Sequence, residues 1–442
     1  MHFSELSADE FGRIVEENFR EQTAFLQTEE QYMQRNLLGQ SPRAFAVTTD
    51  DEGVLVAGLT FATGNRLKVL NIIGAPLFRA TDNLDCDTCK ALKYWLNGIK
   101  QYAKKHKFAL IRCNPNVVLN YRTSEGELDD SRSTFGREVV DLFSATGWNW
   151  LGETTGSEGQ PRWNFVKDLK NEDGEMMTEQ EVFASYRSTM RNRVKKATKN
   201  GVTLRKLTAN DLDGFKEITK LTGKRRGFAD HAIDYYNAVL KSYSDMAEFM
   251  LAEVNLSTYI ETVHDEIKDA ENEVLRYSER QKAGNRFGDK ANVINKRNKG
   301  RLLEASNQLD AAKQHLKEAQ NWIDANGTGT INVACALFVH TSNEMVYLFS
   351  GMKNEFRNLY APYLLQDYAI KKCLELGIEK YNFYGIDGVF NEKSPEHGIL
   401  TFKQGFGGRI EELVGGFEYV TDKLKYTVFS IVSALKSRGS NG

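Results

Sequence analysis

The most regular pattern of apolar and polar positions lies between about 255 and 327. Ile260, Val263, Ile267, Ala270, Val274 and Tyr277 are separated by alternating steps of three and four residues. The pattern breaks at Gly284-Asn285-Arg286-Phe287-Gly288. It resumes with Leu302, Ala305, Leu309, Ala312, Leu316, Ala319 and Ile323. Such steps keep one stripe of a helix apolar, so the segment predicts two heptad helices folded into an antiparallel coiled-coil hairpin. Alanine at alternate core positions suits a close approach, and Asn326-Gly327 ends the second arm. About 27 residues per arm, rising ~1.5 Å each, project roughly 40 Å.

On either side of this hairpin the apolar runs are short and bounded by turn residues. In the first half they predict strands near Phe45–Thr48, Val54–Phe61 and Lys68–Gly74. A helix follows from about Cys86 to Lys105, then a strand at Phe108–Cys113. In the second half the strands are 247–254, 330–339 and 345–350, followed by a helix at Ala361–Leu376 and a strand at Lys380–Tyr384. Both halves read β-β-β-α-β, which implies mixed sheets flanked by helices, an α/β (α+β) class. That is the element order of the GNAT acyltransferase core, here present twice. The expected organisation is a first GNAT-like subdomain at 1–165 and a second at 166–254 and 328–442. The coiled-coil arm, 255–327, interrupts the second.

One helical pattern has a different character. Arg187, Arg191, Lys195 and Lys199 recur every fourth residue, with Arg193 and Lys196 beside them. On a helix these cations form a stripe, while Phe183, Tyr186, Met190, Val194 and Ala197 supply a docking face. Thr178 and Glu181 have capping-box spacing, and Asn200-Gly201 is a stop signal, so one helix is predicted between them. No acidic residue lies between Tyr186 and Asn210 to offset the charge. In a chain of net charge −2, such a concentration suits an extended polyanion. A solvated basic face without a ligand is the plainer alternative.

Composition narrows the class. At 442 residues two or more domains are expected, and 41% hydrophobic residues with only six prolines suit packed domains. No run approaches the roughly 18 consecutive apolar residues of a membrane span. The stretch Met1-His2-Phe3-Ser4-Glu5 is not a basic region leading into an apolar one, so a cytoplasmic protein is expected. Of the cysteines, Cys86 and Cys89 form a lone C-x-x-C with no second pair or histidines, half of a zinc site at most. Neither a metal nor a cofactor is expected. A GNAT enzyme holds the pyrophosphate of acetyl-CoA on a Q/R-x-x-G-x-G/A loop. The nearest match, Gln281-Lys282-Ala283-Gly284-Asn285-Arg286, ends in arginine and sits at the hairpin tip. The acyl donor is therefore expected to be something other than CoA.

Together the doubled element order, the inserted hairpin and the cationic segment resemble the FemABX family of non-ribosomal peptidyl transferases. Further stretches fit along nearly the whole chain. They are Gln160-Pro161-Arg162-Trp163, Thr222-Gly223-Lys224-Arg225-Arg226-Gly227-Phe228, Tyr347-Leu348-Phe349-Ser350-Gly351, Asn358-Leu359-Tyr360-Ala361-Pro362-Tyr363, Tyr384-Gly385-Ile386-Asp387-Gly388, Phe402-Lys403-Gln404-Gly405-Phe406-Gly407 and Gly416-Phe417-Glu418-Tyr419-Val420. The resemblance implies transfer of an amino acid (Ala, Ser or Gly) from aminoacyl-tRNA onto the stem peptide of lipid II or a related peptidoglycan precursor. The product is an interpeptide bridge. It further implies tRNA on the 187–199 stripe and on the basic distal arm, with Arg276, Arg280, Lys282, Lys290, Lys296, Arg297, Lys299 and Arg301. Lys403 matches the lysine that the family directs at the reacting ester; a surface lysine at a strand end is the alternative.

For the acceptor, the resemblance implicates Tyr235 and, one helical turn before it, His231 where the family often has arginine. Arg225 or Arg226 is expected to compensate, and Tyr347 to add an aromatic contact. The chain also departs from the family at Glu30 and Gln31, where a lysine and a tryptophan are common, and at Asn114-Pro115-Asn116, where relatives can carry aspartate. Peripheral contact with the inner membrane surface is a further expectation, through Leu424, Val428, Phe429, Ile431, Val432 and Leu435 with nearby lysines; docking of this stretch on the domain is the alternative. Two other function classes remain open: a non-catalytic tRNA- or nucleic-acid-binding protein, and a CoA-dependent N-acyltransferase.

Overall fold

The computed structural model describes residues 1–51, 53–64, 67–79, 83–152, 160–284 and 291–427. The first half runs β1 (His2–Leu6), α1 (Ala8–Asn18), α2 (Glu29–Leu37), β2 (Arg43–Thr49), β3 (Gly53–Thr63), β4 (Val69–Gly74) and β5 (Leu77–Phe78). It continues with α3 (Cys86–Lys105), β6 (Leu110–Pro115), β7 (Val118–Arg122), α4 (Gly136–Ala145) and β8 (Asn149–Trp150). The second half begins β9 (Trp163–Asp168), α5 (Glu179–Ser185), α6 (Ser188–Lys199), β10 (Val202–Lys206), α7 (Leu212–Arg226), α8 (Ile233–Tyr243) and β11 (Ala247–Asn255). The arm is α9 (Leu256–Gly284) and α10 (Ala291–Asn326). Then come β12 (Thr330–His340), β13 (Glu344–Met352), α11 (Ala361–Leu376), β14 (Lys380–Ile386), α12 (His397–Gln404), β15 (Arg409–Leu413) and β16 (Phe417–Val420).

Two sheets result. The first has the order β1-β2-β3-β4-β6-β16-β8, with β5 on β3; the second is β10-β11-β12-β13-β14-β9-β15-β7. In each, three antiparallel strands lead through a helix into a parallel fourth, β4 to β6 and β13 to β14. The expected β-β-β-α-β order thus occurs twice. Helix α3 shows why its segment folds so: Ala91, Leu92, Trp95, Leu96, Ile99 and Ala103 are buried at helical spacing, and the Asp85 carboxylate caps Thr88 N–H at 2.7 Å.

The halves interlock. Strand β7 comes from the first half but lies in the second sheet, and β16, from the end of the chain, lies in the first. Glu412 on β15 binds Arg162 at 2.7 Å and Arg122 on β7 at 3.0 Å, with the Arg162 and Glu412 side chains only 3% and 5% exposed. A charge pair this dry holds only with both partners present.

The arm packs through its small residues. Ala270, Ala305, Ala312 and Ala319 are buried along the seam, and Tyr259 stacks on Trp322 at its base. The hairpin tip, with Lys290, falls outside the described side chains, as does the C-terminal stretch from Val428. No helix among the described residues is long and apolar enough to cross a membrane.

The single helix expected between Thr178 and Asn200 is instead two. The capping box at Thr178 and Glu181 forms, but α5 ends at Ser185 because Tyr186 and Arg187 are extended. Packing breaks it there. The Tyr186 ring is buried against Phe406, and Arg187 N–H donates to the Gly405 carbonyl at 2.8 Å.

Glu412→Ala leaves Arg162 buried without its counter-charge. The expected loss is about 3–5 kcal/mol, read as a lower midpoint in chemical denaturation; a midpoint within experimental error of wild type contradicts this account of the interlock.

Candidate active site

The site forms where β13 and β14 part. They pair only over Glu344–Val346 and Lys380–Asn382, while both strands run on beyond. At the same level β14 slips register against β9, between Asn382 and Gly385. Tyr384 lies there at φ 64°, in the left-handed region that bulky residues avoid. Its N–H is held by the Asn382 side-chain oxygen at 2.8 Å. The carbonyls of Tyr384 and Gly385 both accept from the Lys403 ammonium, at 3.0 Å for Tyr384.

Lys403 belongs to the last turn of α12 and is 5% exposed, so the surface strand-end alternative is corrected. Burial pulls its pKa down to about 7, with Glu396 opposing. An ammonium has three N–H groups, and the two carbonyls leave one for another acceptor. Its neighbour Phe402 packs edge-on to Tyr363, with Phe406 behind both.

Helix α6 docks directly on this segment. Besides the bond from Arg187 to Gly405, a Cβ at Gly405 would collide with Met190. The four stripe residues have separate fates. Arg187 is the residue before the helix and binds Glu125 at 3.2 Å; Lys199 binds Glu266 of the arm at 2.8 Å. Those two are therefore not unneutralised, because their counter-charges come from distant sequence. The Arg191 guanidinium caps α5 through the carbonyls of Ala184 and Tyr186. Lys195 stays exposed and lies over Phe183. Arg193 and Lys196, beside the stripe, form a second row: Arg193 donates to the Tyr363 hydroxyl at 2.8 Å, and Lys196 lies over Tyr360. It leads from α6 to the start of α11 and so toward Phe402.

On the other face of the sheet, His231 and Tyr235 come together. Their rings stack with centroids 4.0 Å apart, and Phe349 closes the cluster edge-on. His231 precedes α8 rather than lying on it, so the stack is a loop-to-helix contact and not a pair on one helix face. The loop is fixed by Asp230, which accepts from Tyr236 at 2.6 Å, Thr219 at 3.0 Å and Lys216. Burial alone would raise the Asp230 carboxyl, but these bonds hold it below the usual range. Desolvation lowers the His231 pKa, with Asp230 opposing, which favours the neutral ring.

The first subdomain contributes a cation that the sequence did not mark. Arg35 on α2 is half-buried beside Tyr235, Tyr243 and Tyr384; desolvation lowers its pKa while the phenols oppose. Its guanidinium lies 4.0 Å from the Phe61 ring centre and donates to Gln40 at 2.8 Å. No carboxylate pairs with it among the described residues. Tyr384 joins the two regions: its carbonyl binds Lys403, and its ring meets Phe25 edge-on. Arg225 donates to the Met352 carbonyl at 3.0 Å, and Arg226 is exposed at the end of α7. Tyr347 is on the opposite face from His231 and Tyr235. It stacks on Phe338 and packs against the core that includes Phe383, Leu400 and Phe406. Burial pushes its hydroxyl up to about 12.

Comparison with known proteins covers nearly all of the chain. The model of the FemAB family matches residues 6–434. Aminoacyltransferase FemA from Staphylococcus aureus (strain N315) is 26% identical over 443 residues, covering 99% of this chain and 100% of its own length. The FemA of Staphylococcus epidermidis (strain ATCC 12228 / FDA PCI 1200) is 26% identical with the same coverage. Among solved structures, FemX superposes with a TM-score of 0.68 at 21% identity, over 97% of this chain and 99% of that one.

The lowered Lys403 pKa has a stability consequence. The folded chain binds fewer protons than the unfolded chain between about pH 7 and the ordinary lysine value, so this burial costs stability most at the low end of that window. Lys403→Met removes the cost. The variant should melt no lower than wild type at pH 7, with its relative advantage shrinking as pH rises toward 10.5, the ordinary value. A variant that melts lower at pH 7 and does not show this trend contradicts the assignment.

Proposed function

Because the chain belongs to the FemAB family, we infer that it is an aminoacyltransferase that builds the interpeptide bridge of peptidoglycan. We propose that the donor is aminoacyl-tRNA and the acceptor is lipid II or a related stem-peptide precursor. The reaction is aminolysis of an ester. The acceptor amine attacks the aminoacyl carbonyl, a C–N bond forms, the C–O bond to the terminal ribose breaks, and the ribose leaves as an alcohol. The incoming ammonium gives up one proton. Such a step needs positioning and a donor for the tetrahedral oxyanion, with no protein nucleophile.

The observation that carries this reading is the buried Lys403 ammonium, anchored on two carbonyls where the strands part and with one N–H to spare. That N–H is assigned to the oxyanion. The donor is assigned to the α6 side, where Lys195, Lys196 and Arg193 lead toward Phe402 beside Lys403. The acceptor is assigned to His231, Tyr235, Arg225 and Arg226, with Arg35 supplying a half-buried positive charge for an anionic group. Tyr347, on the Lys403 face, is assigned a packing role beside the reacting groups.

A CoA-dependent reaction fits less well. The segment from β13 into α11, Lys353 to Tyr360, has no glycine, and α11 has proline in its first turn, so few backbone N–H groups could cradle a pyrophosphate. The sequence match to a phosphate loop, at Gln281, lies in the arm.

Incubation with a pool of charged tRNAs and a stem-peptide precursor should add one aminoacyl mass to the precursor. No mass gain with any charged tRNA would sink the reading. Lys403→Met should slow single-turnover transfer by about 10²–10³-fold with both substrates still bound; a loss under threefold removes its role. Lys195→Ala with Lys196→Ala should weaken tRNA binding and reduce the salt slope by about 2, and unchanged affinity puts the RNA elsewhere. Arg35→Met should raise the acceptor KM by at least ~tenfold, the scale of a lost charged hydrogen bond, with little change in kcat. An unchanged KM assigns Arg35 to packing alone.

A further inference from the structure

The second half of α7 ends in a surface of one sign. Phe215, Ile218, Thr219, Thr222 and Gly223 are its buried face. By helical spacing Lys220, Leu221, Lys224 and Arg225 lie on the opposite face, and Phe228 follows just past the left-handed Gly227. Leu221 is 45% and Phe228 52% exposed, unusual for residues of this size so close together. Asp213 and Glu217 lie toward the start of this face, and Glu217, the nearer acid, is bound to Lys353 at 2.9 Å. Among the described residues no carboxylate pairs with Lys220 or Lys224. A Cβ at Gly223 would come within 2.8 Å of the Phe228 carbonyl, so the loop is packed down on the helix while much of the Phe228 side chain stays in solvent.

We propose that this face docks on an anionic phospholipid surface. Unpaired lysines beside exposed aliphatic and aromatic side chains match the headgroup boundary of such a bilayer, where cations meet phosphates and apolar groups enter the acyl edge. A nucleic acid would use the lysines but would leave Leu221 without a contact. The loop runs on through Asp230 to His231, so the docking face is continuous with the acceptor cluster. The purpose of the contact rests on the acceptor reading above: an enzyme seated here would meet a lipid-linked stem peptide at the membrane.

The test uses the full chain and vesicles of phosphatidylcholine with or without phosphatidylglycerol, with neither tRNA nor acceptor present. Wild type should sediment with the anionic vesicles only, and less so at high salt. Lys220→Glu with Lys224→Glu, and separately Leu221→Ser with Phe228→Ser, should partition at least ~tenfold more weakly. Melting curves establish that the variants are folded; Lys220→Gln with Lys224→Gln replaces the first pair if it is not. Absence of wild-type partitioning overturns the proposal, as does equal partitioning of folded variants. An equal loss of tRNA affinity in the lysine pair makes the face an RNA surface and overturns it too. Transfer by wild type to a soluble, lipid-free acceptor is measured alongside, so a failure of docking is distinguished from a failure of the enzyme reading.

Discussion

Everything at the centre of this molecule depends on how one buried ammonium is kept. Lys403 has almost no contact with water, and its charge is supported by the carbonyls of Tyr384 and Gly385. Those carbonyls are turned to it because β14 slips register against β9 at that level and Tyr384 adopts a positive φ. The parting of β13 and β14 leaves a gap beyond Val346 and Asn382. Strain in the backbone, desolvation of a cation and interruption of two strand ladders thus coincide at one point. Each is unfavourable alone, and such costs collect where chemistry is done.

The rest of the fold divides the surroundings of that point in two. Helix α6, the start of α11 and the base of the arm lie on one side; Lys199 ties α6 to the arm through Glu266. On the other side, α2 of the first subdomain meets α8 of the second, and the Tyr243 hydroxyl donates to the Phe25 carbonyl at 2.8 Å. Tyr384 sits between them. The exchange of β7 and β16 between the sheets, with Glu412 held by two arginines, fixes the subdomains against each other. A two-substrate site at a subdomain junction requires that fixity.

Much of the architecture was legible because it rests on periodicity. The heptad steps of Ile260 to Ile323, the helix of Cys86 to Lys105 and the doubled strand order are local patterns that burial enforces. What could not be read depends on partners distant in sequence. Glu125 and Glu266 neutralise two cations of a stripe that has no acid of its own. Tyr186 breaks a helix that its neighbours favour because its ring is wanted in the core beside Phe406. Gln27, Gln31, Gln34 and Arg35 on and beside α2 have the polar spacing of a solvent face, yet all but the partly exposed Arg35 are buried at the junction. Nothing local distinguishes a polar face turned to water from one turned to another subdomain. Lys403 and Tyr235 came from resemblance alone, and the depressed lysine pKa is visible only once the burial of its side chain is known.

The central claim is that the acyl-bearing end of a tRNA reaches Lys403 from the α6 side. The most direct measurement is photo-crosslinking with an uncleavable, amide-linked aminoacyl-tRNA carrying a photoreactive terminal adenosine, followed by peptide mapping. Adducts should fall within 384–406 or on α6. Adducts confined to the arm or to the first sheet, with none in those segments, would contradict the account.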